Sequence, residues 1–195
     1  TDWSINMEKI LFVNSCVREE SRTYRLAGAV LECLDGDITQ LDISEADIKP
    51  LDRQSLMHRV ELSDKGDFSN EMFKYAHQFA ESDTVVIAAP YWDLSFPAVL
   101  KAYLEAVSVC GITFKYDEQG VPAGLCSVRK LIYVTTSGGS IGEFNMGYDY
   151  VRTLAWGLFG IKDIQFFSAE NLDIYGNDVE TIMQEAEAKV RASLK

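Results

Sequence analysis

Along this chain, short β-branched apolar runs alternate with longer stretches in which apolar positions recur every three or four residues. Lys9-Ile-Leu-Phe-Val-Asn14 reads as a first strand, apolar as a strand covered on both faces must be. From Ser21 to Leu34 the apolar residues fall at Leu26/Ala27, Val30/Leu31 and Leu34, which is a helical stripe. Asp37 to Ile43 reads as a second strand. Asn70 to Ser82 puts Met72/Phe73, Ala76 and Phe79/Ala80 on one helical face. Thr84-Val-Val-Ile-Ala-Ala89 is the clearest buried strand, stopped by Pro90, and Pro97 to Val109 is a helix with proline at its start, where a missing N–H is harmless. Leu131 to Thr136 is a fourth strand ended by Ser137-Gly138-Gly139. Met146 to Phe159 is a helix closed by Gly160, Ile164 to Ala169 a fifth strand, and Val179 to Leu194 a last helix. Five strands alternating with five helices imply a parallel sheet with helices on both faces.

Two stretches interrupt the alternation. Ser44 to Phe68 is a polar segment of 25 residues, long for a structureless connection, and is expected to be functional or partly mobile. Gly111 to Ser127, with Asp117-Glu-Gln-Gly120 inside it, reads as a small hairpin on the rim. No internal repeat or linker divides the 195 residues, so a single domain over 1–195 is expected. The first six residues, before Met7, read as an extension to which no role is given.

Charge narrows the function. Thirty Asp+Glu against 18 Lys+Arg give a formal charge of −12. That balance argues against nucleic acid, whose phosphates need clustered cations, and against an anionic membrane surface. No apolar run is long enough for a transmembrane helix, and the start of the chain lacks a signal peptide's order, so a cytoplasmic location is expected. Four scattered cysteines (Cys16, Cys33, Cys110, Cys126) and two histidines give no metal-ligand spacing, so no metal is expected. The thiols are expected to be free and buried or half-buried, and His77 to be a surface residue.

In an open parallel sheet ligands bind beyond the carboxyl ends of the strands. The loop after the first strand holds Ser15, then Ser21 and Thr23 at the mouth of the next helix, and no glycine-rich dinucleotide or nucleoside-triphosphate motif. Hydroxyls beside a helix N-terminus suit a phosphate, although Ser21 as a simple cap fits the spacing equally. The loop after the third strand carries the aromatic pair Tyr91-Trp92, and the loop after the fourth offers glycines that let a ligand approach the main chain.

Together these pieces resemble the flavodoxin-like family of FMN-dependent NADH-azoreductases and NAD(P)H:quinone oxidoreductases, from about Lys9 to the end. Ser15 followed by Ser21-Arg-Thr23 is similar to the family's phosphate loop. Ala89-Pro-Tyr-Trp with Phe96-Pro-Ala-Val-Leu-Lys101 is similar to the quinone-reductase signature, and Gly111-Ile-Thr-Phe-Lys-Tyr116 and Thr135-Thr-Ser-Gly-Gly139 to two further motifs. The resemblance implies a three-layer sandwich around a five-stranded parallel sheet of order 2-1-3-4-5. It implies FMN as cofactor, with its phosphate on Ser15, Ser21, Arg22 and Thr23. Pro90, Tyr91, Trp92, Asp93 and Leu94 would run along the ribityl chain and ring edge, with Trp92 and Asp93 near the reacting edge. Thr136, Ser137, Gly138 and Gly139 would close over the pyrimidine side.

The resemblance further implies NAD(P)H as co-substrate, a quinone or azo compound as acceptor, and a homodimer. Two departures stand out: Asp93 replaces the azoreductases' usual Asn, and Ile141-Gly-Glu-Phe-Asn145 lacks the quinone reductases' Tyr and His. Two other readings share the scaffold, a flavodoxin-type electron carrier and a binding module without flavin. Arg53, Arg59 and Lys65 are the cations that could select NADPH, and they could equally be solvated loop charges.

Overall fold

The computed structural model describes residues 7–194; the expectation for the first six residues lies outside them. The elements, in order, are β1 (Lys9–Asn14), α1 (Arg22–Leu31), β2 (Asp37–Asp42), α2 (Arg53–Asp64), a 3₁₀ turn (Glu71–Phe73), α3 (Lys74–Ala80), β3 (Thr84–Ala88) and α4 (Ala98–Val107). They continue with β4 (Phe114–Tyr116), β5 (Pro122–Gly124), β6 (Lys130–Thr136), α5 (Met146–Gly157), β7 (Asp163–Ala169) and α6 (Val179–Ser193).

Five strands form one parallel sheet in the order β2-β1-β3-β6-β7. Since β4 and β5 pair only with each other, antiparallel, β6 and β7 are the fourth and fifth strands of the sheet, and the order is the expected 2-1-3-4-5. The central strand β3 is buried at every position, which is why it reads as an unbroken apolar run. Alternate residues feed two cores. Leu11, Val13, Val85, Ile87, Leu131 and Tyr133 face α3, α4 and α5 through Phe79, Leu100, Leu104, Val151 and Ala155. Ile10, Phe12, Val86, Ile132 and Val134 face α1 and α6 through Leu26, Val30, Met183 and Val190. Each such side chain contributes about 1.5–3 kcal/mol by leaving water.

The Ser44–Phe68 stretch corrects the sequence reading, because it contains a twelve-residue helix, α2. Asp52 caps it, accepting from Ser55 N–H while the Ser55 hydroxyl accepts from Asp52 N–H. Only Leu62 of this helix is buried, so there was no apolar stripe to read. Arg59 anchors it instead, donating through its guanidinium to the carbonyls of Glu105 (2.9 Å) and Ser108 at the carboxyl end of α4. The hairpin at 111–127 is present, with Asp117 Oδ1 accepting from Gln119 and Val121 N–H in its turn. Gly124 there rests on the main chain of Phe159, where a Cβ would lie 2.0 Å from the Phe159 carbonyl oxygen.

Two smaller expectations are also corrected. His77 is half-buried, its Nε2 lying 2.8 Å from the Phe68 carbonyl oxygen, so it ties α3 to the preceding turn. Cys110 is exposed, whereas Cys16 is buried and Cys33 and Cys126 are half-buried; all four are free. Among the described residues no helix is long and apolar enough to cross a membrane.

Candidate functional site

The loops leaving β1, β3, β6 and β7 all emerge at one edge of the sheet, and a cleft of about 690 Å³ opens between them. Its first wall is the start of α1. Ser21 is the helix N-cap, its Oγ accepting from Tyr24 N–H at 3.2 Å. The N–H groups of Arg22 and Thr23 have no protein acceptor among the described residues, as expected for the first turn of a helix. They leave a concave, electropositive donor set at the amino end of a ten-residue helix.

The other walls come from distant sequence. Thr23 Oγ1 lies 2.6 Å from Thr136 Oγ1, closing the seam between α1 and β6. Tyr91 N–H donates to the Thr136 carbonyl (3.1 Å), which carries the chain from β3 along the cleft floor. The Tyr91 hydroxyl donates to the Phe144 carbonyl (2.8 Å), and Trp92 is 39% exposed, with its ring free to cover a flat ligand. The loop after β7 is zipped to the loop after β6 by Asn171, Leu172 and Asp173 N–H donating to Gly139, Ser137 and Gly138 carbonyls. Gly138 lies directly beneath the Asp173 carboxylate: a Cβ there would stand 2.4 Å from Asp173 Oδ2, and that side chain would have to move aside.

Of the residues singled out in the sequence, Ser21, Arg22, Thr23, Pro90, Tyr91, Trp92, Thr136, Ser137 and Gly138 line this cleft together. The structure does not bring the other four to its wall. Ser15 is fully buried beneath the loop, with both its N–H and its hydroxyl donating to the Ala88 carbonyl (3.0 and 2.8 Å). Asp93 and Leu94 form a two-residue turn closed by reciprocal main-chain bonds between Trp92 and Ser95, and both have left-handed backbone (φ 50° and 67°). Gly139 stands exposed on the rim. None of Arg53, Arg59 and Lys65 reaches the cleft: Arg59 serves α4, Lys65 pairs with Glu61, and Arg53 is exposed in the first turn of α2.

The sequence reading missed Arg18, Leu172 and Asp173, which also line the cleft. Asp173 binds Arg22 across the opening, Nη1 to Oδ1 at 2.8 Å. The signal was available, since the loop after the fifth strand must leave at the same sheet edge as the others. Cys16, under Ser21, is no nucleophile; burial raises its thiol pKa to about 11 despite a hydrogen bond with Ser21. Among the described residues no three His, Cys, Asp or Glu side chains are grouped to hold a metal ion.

A doubly wound parallel sheet with free helix N–H donors, an aromatic wall and a glycine-edged floor at its carboxyl edge defines an α/β protein whose cleft suits a flat, phosphorylated ligand. Residues 8–194 match the family model described as a flavodoxin-like fold, and the chain belongs to that family. It is 37% identical to an FMN-dependent NADH:quinone oxidoreductase 2 of Clostridium acetobutylicum, over 97% of this chain and 99% of that one. It is 38% identical to an FMN-dependent NADH:quinone oxidoreductase of Clostridium beijerinckii, with the same coverage. Among solved structures, an azoreductase of Bacillus anthracis superposes with a TM-score of 0.83 at 25% identity, covering 96% of this chain and 99% of that one.

Proposed function

We propose that this protein is an FMN-dependent NADH:quinone oxidoreductase, with azo compounds as a second class of acceptor. The observation that carries the reading is the meeting, in one cleft, of the α1 donor set with Tyr91 and Trp92. The chain's near full-length identity to enzymes of that name supports it. The donor set suits FMN. The N–H groups at the start of α1, the Thr23 hydroxyl and the Arg22 guanidinium offer hydrogen bonds and positive charge for one phosphate monoester. The cleft volume falls in the range of small-molecule cofactor sites, roughly 300–1,000 Å³.

Bound there, FMN would supply hydride chemistry between a nicotinamide and the acceptor. The protein's part is to hold and cover. Ser21 fixes the first turn of α1, while Arg22 and Thr23 would hold the phosphate. Pro90 to Trp92 would flank the ring, and Ser137 and Gly138 would let the main chain border it. Asp93 and Leu94 stand at the mouth, where the turn presents an acidic and an apolar side chain to an incoming substrate.

We infer a single FMN-binding domain that works as a homodimer in the cytoplasm. The apolar surface beside the mouth supports the dimer: Leu94, Phe144, Met146, Tyr150 and Trp156 are all exposed around α5. The four free thiols and the acidic surface suit a reducing, soluble compartment.

The test is spectral and kinetic. Purified protein should be yellow and release FMN on denaturation; NADH should bleach it, and benzoquinone should restore the colour. One flat pocket serving donor and acceptor in turn gives parallel double-reciprocal lines. Protein that takes up no FMN, or whose bound FMN keeps its colour under NADH, would reject the proposal.

A further inference from the structure

We propose that Asp173 is a positioning residue that governs FMN retention, by holding the Arg22 guanidinium as an exchangeable clasp across the phosphate end of the cleft. The inference rests on the FMN reading above. Arg22 opens α1 beside the Ser21 cap, and its Nη1 donates to Asp173 Oδ1 at 2.8 Å, joining positions 151 residues apart. Both side chains are exposed, 43% and 69%, so the pair is solvated and exchangeable rather than a locked core contact.

The main chain that carries the carboxylate, by contrast, is held. Asp173 N–H donates to the Gly138 carbonyl at 2.9 Å, and its Oδ2 occupies the space that a side chain on Gly138 would need. A negative charge tethered through its main chain therefore faces the α1 donor set across the cleft. Of the other cations lining the cleft, Arg25 is engaged by Glu180 and Glu187 at 2.7 Å each, whereas Arg18 makes no ion pair among the described residues. Arg22 is thus the cation whose carboxylate partner itself borders the cleft.

A phosphate at the start of α1 and the Asp173 carboxylate thus compete for the same guanidinium. Arg22 turns toward the phosphate when FMN enters and returns to Asp173 when it leaves. Both end states keep Arg22 paired, so the exchange lowers the net gain from binding and makes the cofactor easier to release.

The experiment compares FMN and riboflavin, which lacks the phosphate, in titrations of flavin-stripped full-length protein followed by quenching of flavin fluorescence. Asp173→Asn keeps the size of the side chain and removes its charge. It should tighten FMN about five-fold, the equilibrium weight of releasing one exposed ion pair, and leave riboflavin unchanged within twofold. In an Arg22→Ala background the same substitution should change FMN affinity by less than twofold, and Asp173→Glu should restore near-parental affinity when Arg22 is present.

Unchanged or weaker FMN binding in Asp173→Asn overturns the clasp, as does equal tightening of riboflavin, which would mark a general structural effect. Equal tightening with and without Arg22 overturns the exchange and leaves only direct repulsion. A parent protein that binds no FMN rejects the functional reading and the clasp together, whereas equal FMN binding by every variant rejects the clasp alone.

Discussion

Thr23 Oγ1 and Thr136 Oγ1 lie 2.6 Å apart, joining the first turn of α1 to the carboxyl end of β6 across 113 residues of sequence. The contact makes two walls of the cleft a single surface. It also means that a phosphate bound at the proposed site would compete with the strand end for the Thr23 hydroxyl.

Thr23→Val keeps the shape and removes the hydroxyl. A hydrogen bond to a charged group contributes about 1.5–3 kcal/mol, so FMN should bind about 10- to 150-fold more weakly. Ser21→Ala should differ in kind. It removes the cap that accepts from Tyr24 N–H and should lower stability by about 0.5–2 kcal/mol as well as affinity. Titration and thermal melting of both variants separate the two roles; an unchanged FMN Kd in Thr23→Val would remove that hydroxyl from the phosphate site.

The Asp93–Leu94 turn stores strain. Left-handed backbone costs a non-glycine residue about 1–2 kcal/mol, and Asp tolerates it better than Leu. Leu94 is half exposed in the single chain, so the strain outweighs the packing it makes there. Leu94→Gly should therefore stabilise the protein by about 0.5–1 kcal/mol, the relief less glycine's greater unfolded freedom. The melting temperature should rise about 2 °C. A lower melting temperature would show that the leucine side chain makes contacts worth more than the strain.

Thiol reactivity should follow burial. Burial pushes Cys16 up to about 11 and Cys126 up to about 12, so both remain protonated at pH 8. Iodoacetamide should modify the exposed Cys110 first, and Cys16 only after denaturation. Peptide mass mapping over time checks the order. Labelling of Cys16 as fast as Cys110 would contradict the buried placement of the first loop.

Acid sensitivity should have a traceable source in the α1–α6 seam. Arg25 grips Glu180 with two hydrogen bonds (2.7 and 2.8 Å) and holds its carboxyl at about 2, below its ordinary 4.5. A carboxylate depressed on folding stabilises fully above 4.5, and that contribution fades as pH falls toward 2. Melting temperature should decline over that window, and Glu180→Gln should flatten the decline. An identical acid limb in the variant would place the sensitivity elsewhere.

Much of this architecture was legible because burial leaves a mark on composition. β3 is apolar because both of its faces are covered, and α1 and α6 carry stripes because one face of each is. The aromatic pair Tyr91-Trp92 was legible because adjacent aromatics are poor choices at a strand end unless something covers them, whereas the hydroxyls and glycines of the other two loops fit a cap and a turn equally well and gained meaning only from sharing one sheet edge. The helix α2 was not legible, since one buried leucine makes no stripe and its tether runs from Arg59 to main-chain carbonyls of α4. Nor was the turn at Asp93–Leu94, because Asp-Leu lacks the Asn-Gly signature of that backbone. Asp173 and the Arg25–Glu180 pair depend on partners more than 150 residues away, and spacing along a chain says nothing of such distances.

The four cleft loops leave β1, β3, β6 and β7, which are four adjacent strands of one sheet. Half of that sheet would carry half of the walls and no site, so a cofactor held in this cleft would recognise only the fully paired chain. Binding then acts as a brake on global unfolding, adding about 2.7 kcal/mol when free ligand reaches a hundred times its Kd. On the proposed reading, resistance to heat and proteases should therefore rise with the concentration of free flavin.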